Sequence, residues 1–184
     1  IHCWKRAGHG SMELRNSLKQ SSDVYYYDLA LKVGIERISA MAKRLGLGVR
    51  QEVPMSAEAR GNMPDKAWKR RVHDAEWRIG DTVNASIGQG YLLSSPLQLA
   101  VMSARLATGR AVEPRLIKSF DSAEVLAYAC ADLGIDPTHL RWVQDAMYDV
   151  VNDRRGTAYG SRIIQDTARM AGKTGTSQVR NITA

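Results

Sequence analysis

The stretch that most constrains this chain is residues 172–177, near its end, with the sequence Gly-Lys-Thr-Gly-Thr-Ser. It combines an ammonium group with three hydroxyls and two glycines, and apolar residues flank it. This composition predicts a short strand whose backbone another group approaches closely. A lysine surrounded by hydroxyls on such a strand suits the binding of an anion.

Two other interpretations of this stretch must be considered. A phosphate-binding P-loop requires a glycine five positions before Gly172, and that position holds Thr167, so this interpretation is excluded. A polar hairpin carrying a solvated lysine remains open on the stretch alone. A second signal elsewhere in the chain is needed to decide.

Length and composition indicate an ordinary globular domain. The 184 residues suffice for one domain with its own core, and 44% hydrophobic and 24% charged residues are typical of soluble proteins. The sequence contains neither an apolar run of about 20 residues, as a membrane span requires, nor the residue order of a signal peptide. We therefore expect one domain with no targeting segment in this sequence.

The net charge of +7 would suit an acidic partner. However, the basic residues are scattered, apart from Arg154-Arg155 and a cluster of four within residues 66–71 (Lys66, Lys69, Arg70 and Arg71). Trp68 is the only aromatic residue within that cluster, which we interpret as a solvated basic loop. Nucleic acid is therefore not an expected partner.

The cysteines predict neither a disulfide framework nor a redox motif, because Cys3 and Cys130 are far apart and fit no C-x-x-C pattern. Cys3 and His9 could supply two ligands to a zinc ion. Two ligands do not make a zinc site without others. No cofactor is expected, and zinc at Cys3 and His9 remains an alternative.

Apolar periodicity predicts helices over residues 11–20, 24–33 and 35–45, with Gly34 between the last two. Ser95-Pro96-Leu97-Gln98 predicts a helix start with a capping box, and this helix should end at Gly109. Its inward residues are predicted to be Leu99, Ala100, Val101, Ala104 and Leu106. A further helix should begin at Asp136-Pro137 and run to Asn152.

The remaining segments are predicted to be less regular. Residues 49–78 form a long surface excursion, and residues 80–90 form a glycine-rich turn region. Residues 112–120 alternate loosely and predict an edge strand, since Pro114 argues against a central one. Helices thus come first, and the Lys173 strand comes last.

Two separated stretches resemble motifs of the penicillin-binding serine transpeptidases. Ser21-Ser22-Asp23 at a helix start resembles their second motif, and Lys173-Thr174-Gly175 resembles their third. Further stretches are similar to the class B members: Ile87-Gly88-Gln89-Gly90, the helix that Ser95-Pro96 opens, Gly156-Thr157-Ala158 and residues 171–178. Two stretches point to the cell-elongation branch of that class: Trp4-Lys5-Arg6 with Gly8-His9-Gly10, and Ser21-Ser22-Asp23 followed by residues 25–28. The resemblance covers nearly the whole chain.

The sequence departs from the family pattern in two ways. No serine is followed by a lysine three positions later, so the nucleophile motif S-x-x-K is absent. The resemblance therefore implies that residues 1–184 are a partial transpeptidase domain, without that motif, the C-terminal end, the membrane anchor and the N-terminal non-catalytic region. Asp23 also replaces the usual asparagine. A carboxylate accepts hydrogen bonds but cannot donate them, and the elongation branch is similar in using aspartate here.

The resemblance implies catalytic roles for Ser21, Asp23 and Lys173, and substrate binding by Thr174, Gly175 and Thr176. The Ser21 hydroxyl would relay a proton, and Lys173 would supply positive charge beside it. The two threonine hydroxyls would bind the terminal carboxylate of the substrate. The Thr176 N–H would be an oxyanion-hole donor, while Gly175 would leave room for the substrate.

The implied protein is a peptidoglycan D,D-transpeptidase on the periplasmic face of the bacterial inner membrane. Its expected fold is α/β, with an antiparallel sheet flanked by helices. Its expected partners are D-Ala-D-Ala stem peptides, β-lactams, the membrane through an anchor, and the cell-elongation machinery. Three alternatives remain open: a division-specific transpeptidase, a non-catalytic basic binding module, and a degenerate homologue. The presence of S-x-x-K upstream would favour an enzyme.

Overall fold

A computed structural model describes residues 3–54, 56–121, 123–124, 130–165 and 167–177. The helices in these ranges are α1 (Leu14–Lys19), α2 (Asp23–Val33), α3 (Ile35–Arg44), α4 (Lys66–His73), α5 (Ile79–Ser86), α6 (Pro96–Thr108) and α7 (Pro137–Asn152), with a 3-10 turn at Tyr159–Ser161. Two short strands, β1 (Ser119–Phe120) and β2 (Ala123–Glu124), pair antiparallel, with Ser119 opposite Glu124. None of the described helices has the length and apolar character needed to cross a membrane.

The helices with clear start and stop signals are confirmed. Gly34 ends α2 with φ of 82°, a backbone conformation that favours glycine. At the start of α6, the Gln98 N–H donates to Ser95 Oγ at 3.2 Å, and the Ser95 N–H donates to Gln98 Oε1 at 3.4 Å. This is the predicted capping box. Gly109, in the left-handed region, ends the same helix.

The predicted inward face of α6 is partly wrong. Leu99 is 47% exposed and Ala100 is also exposed, whereas Gln98 and Val101 are buried. The Gln98 Nε2 group donates to two loop carbonyls, those of Val49 and Arg60, both at 2.7 Å. The need of these two loop carbonyls for a donor, rather than apolar periodicity, accounts for the burial of Gln98.

Residues 49–78 are not simply a surface excursion. Met63 and Pro64 are buried, and α4 lies within the segment. The Asp65 carboxylate caps α4 by accepting a hydrogen bond from the Trp68 N–H at 2.8 Å. With only eight residues, α4 is too short to produce a clear apolar period.

The interpretation of residues 66–71 as a solvated loop is also wrong. Lys69 is buried on α4 and forms an ion pair with Asp81 in the first turn of α5. In contrast, Arg70 pairs with Glu76 at the surface. Residues 79–86, which fall mostly within the predicted glycine-rich turn region, form α5, so the turn is confined to the residues that follow this helix.

Both strand predictions need correction within the described residues. Residues 112–118 carry no strand, and β1 begins only at Ser119. Residues 171–177 carry neither helix nor strand, because no described segment forms a ladder with them. A strand requires a hydrogen-bonded neighbour, and local composition cannot supply one. Gln178 and Val179 lie outside the described residues.

Two packing centres hold the helices. Ile35, Met63 and Ala85 form a buried cluster to which α3, the loop before α4, and α5 contribute, and α2 packs against α5. Elsewhere α1 packs against α7, where Ala146, Val150 and Val151 are buried. The second centre brings the end of α1 close to the turn after α7. Ser21 lies two residues after the end of α1, so this packing positions the candidate site.

Candidate active site

A cleft of about 730 Å³ contains all six predicted site residues. They come from the α1–α2 turn, the start of α2, and residues 173–176. The cleft is lined by Trp4, Leu18, Ser21, Asp23, Tyr26, Ser86, Ile87, Gln89, Thr157, Lys173, Thr174, Gly175 and Thr176. Packing therefore brings together the two stretches that the sequence places far apart.

Ser21 occupies a constrained turn between α1 and α2. Its φ of 52° lies in the left-handed region, which is uncommon for a serine. The Trp4 indole N–H donates to the Ser21 carbonyl at 3.1 Å, and the Ser22 N–H donates to the Ser17 carbonyl at 2.9 Å. Ser22 is the N-cap of α2 by position but makes no side-chain capping bond. The turn thus directs the Ser21 side chain into the cleft.

Lys173 lies against Ser21 although 152 residues separate them in sequence. Its Nζ donates to Ser21 Oγ at 2.8 Å and to the Thr174 carbonyl at 2.8 Å. The cleft walls partly desolvate the ammonium and hold the pKa of Lys173 below its ordinary value, while the negative charge of Asp23 acts in the opposite direction. Asp23 therefore favours the charged form of Lys173.

Helix α7 anchors the segment that leads to Lys173. The Gly172 N–H donates to the Met147 carbonyl at 3.1 Å. Asn152 Nδ2 donates to the Met170 carbonyl at 2.9 Å. These bonds hold the segment on both sides of residue 171 without a strand ladder in the described structure.

Two side chains from other elements hold the far side of the segment. Thr157 Oγ1 lies 2.8 Å from Thr174 Oγ1, and Gln89 Nε2 donates to the Thr176 carbonyl at 3.1 Å. No role was predicted for Thr157 or Gln89 from the sequence. Both lie in stretches that resemble the family, and this resemblance was the only signal for them.

The backbone at Gly175 borders open space. A Cβ atom built there would meet no described heavy atom within 4 Å, leaving aside the adjacent residues. The passage of a substrate over residue 175 stays a prediction. The roles predicted for the six residues remain predictions, because geometry alone establishes only their proximity.

The described residues add no third ligand to the zinc site considered at Cys3 and His9. Cys3 Sγ lies 3.6 Å from His9 Nδ1. However, the described residues contain no group of three or more His, Cys, Asp or Glu side chains that could hold a metal ion. Protein zinc sites use at least three side-chain ligands.

Comparison with known proteins identifies the class. The family model described as the penicillin binding protein transpeptidase domain matches residues 1–182. This chain therefore belongs to the penicillin-binding protein transpeptidase domain family. Its fold is the penicillin-binding transpeptidase fold.

Within that family, the chain is similar to proteins named peptidoglycan D,D-transpeptidase MrdA and to solved structures of penicillin-binding protein 2. It is 35% identical to peptidoglycan D,D-transpeptidase MrdA from Salmonella typhimurium over 96% of this chain and 29% of the relative. The solved structure of Pseudomonas aeruginosa penicillin-binding protein 2 matches with a TM-score of 0.85 and 38% identity, over 96% of this chain and 40% of that one. The Helicobacter pylori protein, solved in complex with MreC, matches with a TM-score of 0.83 and 33% identity, over 96% and 32%. The chain thus spans less than a third of the length of the Salmonella relative.

Proposed function

We propose that this chain is part of a peptidoglycan D,D-transpeptidase that cross-links the cell wall during elongation, similar to penicillin-binding protein 2. The contact between Lys173 and Ser21 carries the proposal, since it joins the second and third family motifs in one cleft. Residues 1–184 would be a partial transpeptidase domain. The serine and lysine of S-x-x-K, the membrane anchor and the non-catalytic region would belong to the rest of the protein.

The proposed reaction is acyl transfer between stem peptides through a serine ester. The Ser21 hydroxyl can both donate and accept, so it can pass a proton to the leaving amine. Lys173 holds that hydroxyl and brings positive charge to the terminal carboxylate of the substrate. The negative charge of Asp23 supports the ammonium form of Lys173.

Substrate recognition is assigned to the segment after Lys173. The hydroxyls of Thr174 and Thr176 would bind the terminal carboxylate, and the Thr176 N–H would donate to the oxyanion. Loss of one such donor typically lowers turnover by about 10²–10³-fold. The open space beside Gly175 would let the D-Ala-D-Ala end, or a β-lactam that mimics it, reach the nucleophile.

The finer architecture and the cellular setting follow from the same proposal. Residues 172–177 would form a strand of an antiparallel sheet flanked by helices in the complete domain, and the family fold supports this arrangement. The protein would be anchored in the inner membrane and face the periplasm. Proteins of the elongation machinery are the proposed partners, which the Helicobacter pylori relative solved with MreC supports.

Labelling of the full-length protein with a fluorescent penicillin tests this function. Lys173→Ala should abolish labelling, because the charge beside Ser21 is lost, and should leave the thermal unfolding midpoint nearly unchanged. Lys66→Ala, at an exposed lysine outside the cleft, is the matched control and should label like the wild type. Normal labelling of a folded Lys173→Ala variant would contradict the site assignment.

A further inference from the structure

Thr157 lies between the two halves of the cleft and bonds to both. Its N–H donates to the Lys19 carbonyl at 3.3 Å, and its Oγ1 lies 2.8 Å from Thr174 Oγ1. Lys19 is two residues before Ser21, and Thr174 directly follows Lys173. One residue therefore joins the turn that carries Ser21 to the segment that carries Lys173.

The turn that holds Thr157 is tightly fixed to the end of α7. A Cβ atom at Gly156 would lie 2.3 Å from the Val150 carbonyl oxygen, so only glycine fits at that position. The Ala158 N–H donates to the same Val150 carbonyl at 3.0 Å. The backbone is thus secured on both sides of Thr157.

An ion pair between a buried lysine and a half-buried aspartate connects the other half of the cleft to the same turn. Lys19 is 4% exposed, and its Nζ lies 3.0 Å from Asp153 Oδ2. The Asp153 carboxylate also accepts a hydrogen bond from the Arg155 N–H at 2.7 Å. The position of Thr157 relative to the end of α1 is therefore set by charge as well as by backbone hydrogen bonds.

The direction of the hydrogen bond between the Thr157 and Thr174 hydroxyls matters for binding an anion. Each threonine hydroxyl has one proton to donate and can also accept. If Thr174 is to donate its proton to a carboxylate, its oxygen can accept the proton of Thr157. A donating Thr157 would leave the Thr174 proton directed at the anion and would polarise it further.

We propose that Thr157 is a positioning residue whose hydroxyl orients Thr174 as a carboxylate donor and fixes the Lys173 segment against Ser21. This inference rests on the transpeptidase function proposed above. Thr157 acts through Thr174 and needs no contact with the substrate.

The test measures the second-order rate constant for acylation of the full-length protein by a fluorescent penicillin. Thr157→Val keeps the shape and the backbone N–H but removes the hydroxyl, and should lower the rate constant about tenfold. Thr157→Ser restores the hydroxyl and should stay within about twofold of wild type. Thr108→Val, at an exposed α6 hydroxyl that bonds to Ala104 outside the cleft, should leave the rate unchanged.

A double-mutant cycle separates positioning from a general structural effect. In a Thr174→Val background, Thr157→Val should cause little additional loss, because its hydroxyl then has no partner to orient. The thermal unfolding midpoint of each variant is measured together with its acylation rate, to show that the variant is folded. If Thr157→Val does not fold, Thr157→Ala takes its place.

Three results would overturn the inference: a wild-type rate in Thr157→Val, a slow Thr157→Ser, or fully additive losses in the cycle. Failure of the wild type itself to label would instead reject the transpeptidase function, and the inference with it. The two failures are therefore distinguishable.

Discussion

Lys173 experiences two opposing influences on its charge. Desolvation by the cleft walls lowers its pKa below the ordinary 10.5, and the carboxylate of Asp23 raises it. Desolvation is the larger influence, so the ammonium loses its proton at a lower pH than a solvated lysine does. Binding of a carboxylate requires the ammonium form. Acylation should therefore decline as the pH rises towards 10.5.

Asp23→Asn should shift this alkaline decline to lower pH. The substitution removes the charge that raises the pKa of Lys173, while desolvation remains. The measurement is the pH profile of penicillin acylation in the full-length protein. Asp28→Asn is the matched control, because Asp28 lies on the same helix and pairs with Lys32 at the surface. An unshifted profile in Asp23→Asn would contradict the assigned electrostatic role.

At the scale of the element, α6 depends on Gln98 for more than its capping box. Gln98 is fully buried and bonds to carbonyls of the preceding loop, those of Val49 and Arg60. It also lies so close to Gly61 that a Cβ there would approach Gln98 Oε1 to 2.6 Å. The helix and the loop therefore form one packed unit.

Gln98→Leu should destabilise the protein by about 2 kcal/mol, because it removes the bond to the Arg60 carbonyl and leaves the Val49 carbonyl with only the longer bond from Gln51 Nε2 at 3.3 Å. Ser95→Ala, which removes only the cap, should cost about 1 kcal/mol. Chemical denaturation of the full-length protein measures both. Equal losses in the two variants would show that Gln98 acts only as a capping residue.

At the scale of the whole molecule, two ion pairs connect α1 to α7 and to the residue that follows α7. Arg15 contacts Asp149 and Lys19 contacts Asp153, each pair joining residues 134 positions apart. The Lys19 side chain is 5% exposed, so its charge relies on its partner. These contacts bring the Ser21 turn to the Lys173 segment.

Lys19→Met should lower both the thermal unfolding midpoint and the rate of penicillin acylation. Hydrogen bonds from the Arg155 N–H and from Lys19 lower the pKa of Asp153 below 3.8, so the stabilisation is complete above this value and is lost as the pH falls below it. The difference in thermal unfolding midpoint between Lys19→Met and the wild type should therefore become smaller in acid. Arg155→Met, at an exposed arginine 3.8 Å from the same carboxylate, should change little. Equal effects of the two variants would contradict this reasoning.

The sequence by itself determined the features that depend on neighbouring residues. The starts of α6 and α7, with proline at the first helical position, and the end of α2 at Gly34 follow from bonds within a few residues. The family motifs also indicated the six candidate residues. Local signals suffice here because each capping bond or glycine conformation is complete within one turn.

Only the tertiary structure decided which of these residues come into contact. No local sequence pattern predicted the burial of Gln98 and Lys69, or the helices α4 and α5. The bonds of Thr157 to Thr174 and of Gln89 to Thr176 were likewise not predictable from neighbouring residues. The contact between Lys173 and Ser21 spans 152 residues and depends on how α1 packs against α7. Such contacts form because buried charges and carbonyls must find partners, and those partners are distant in sequence.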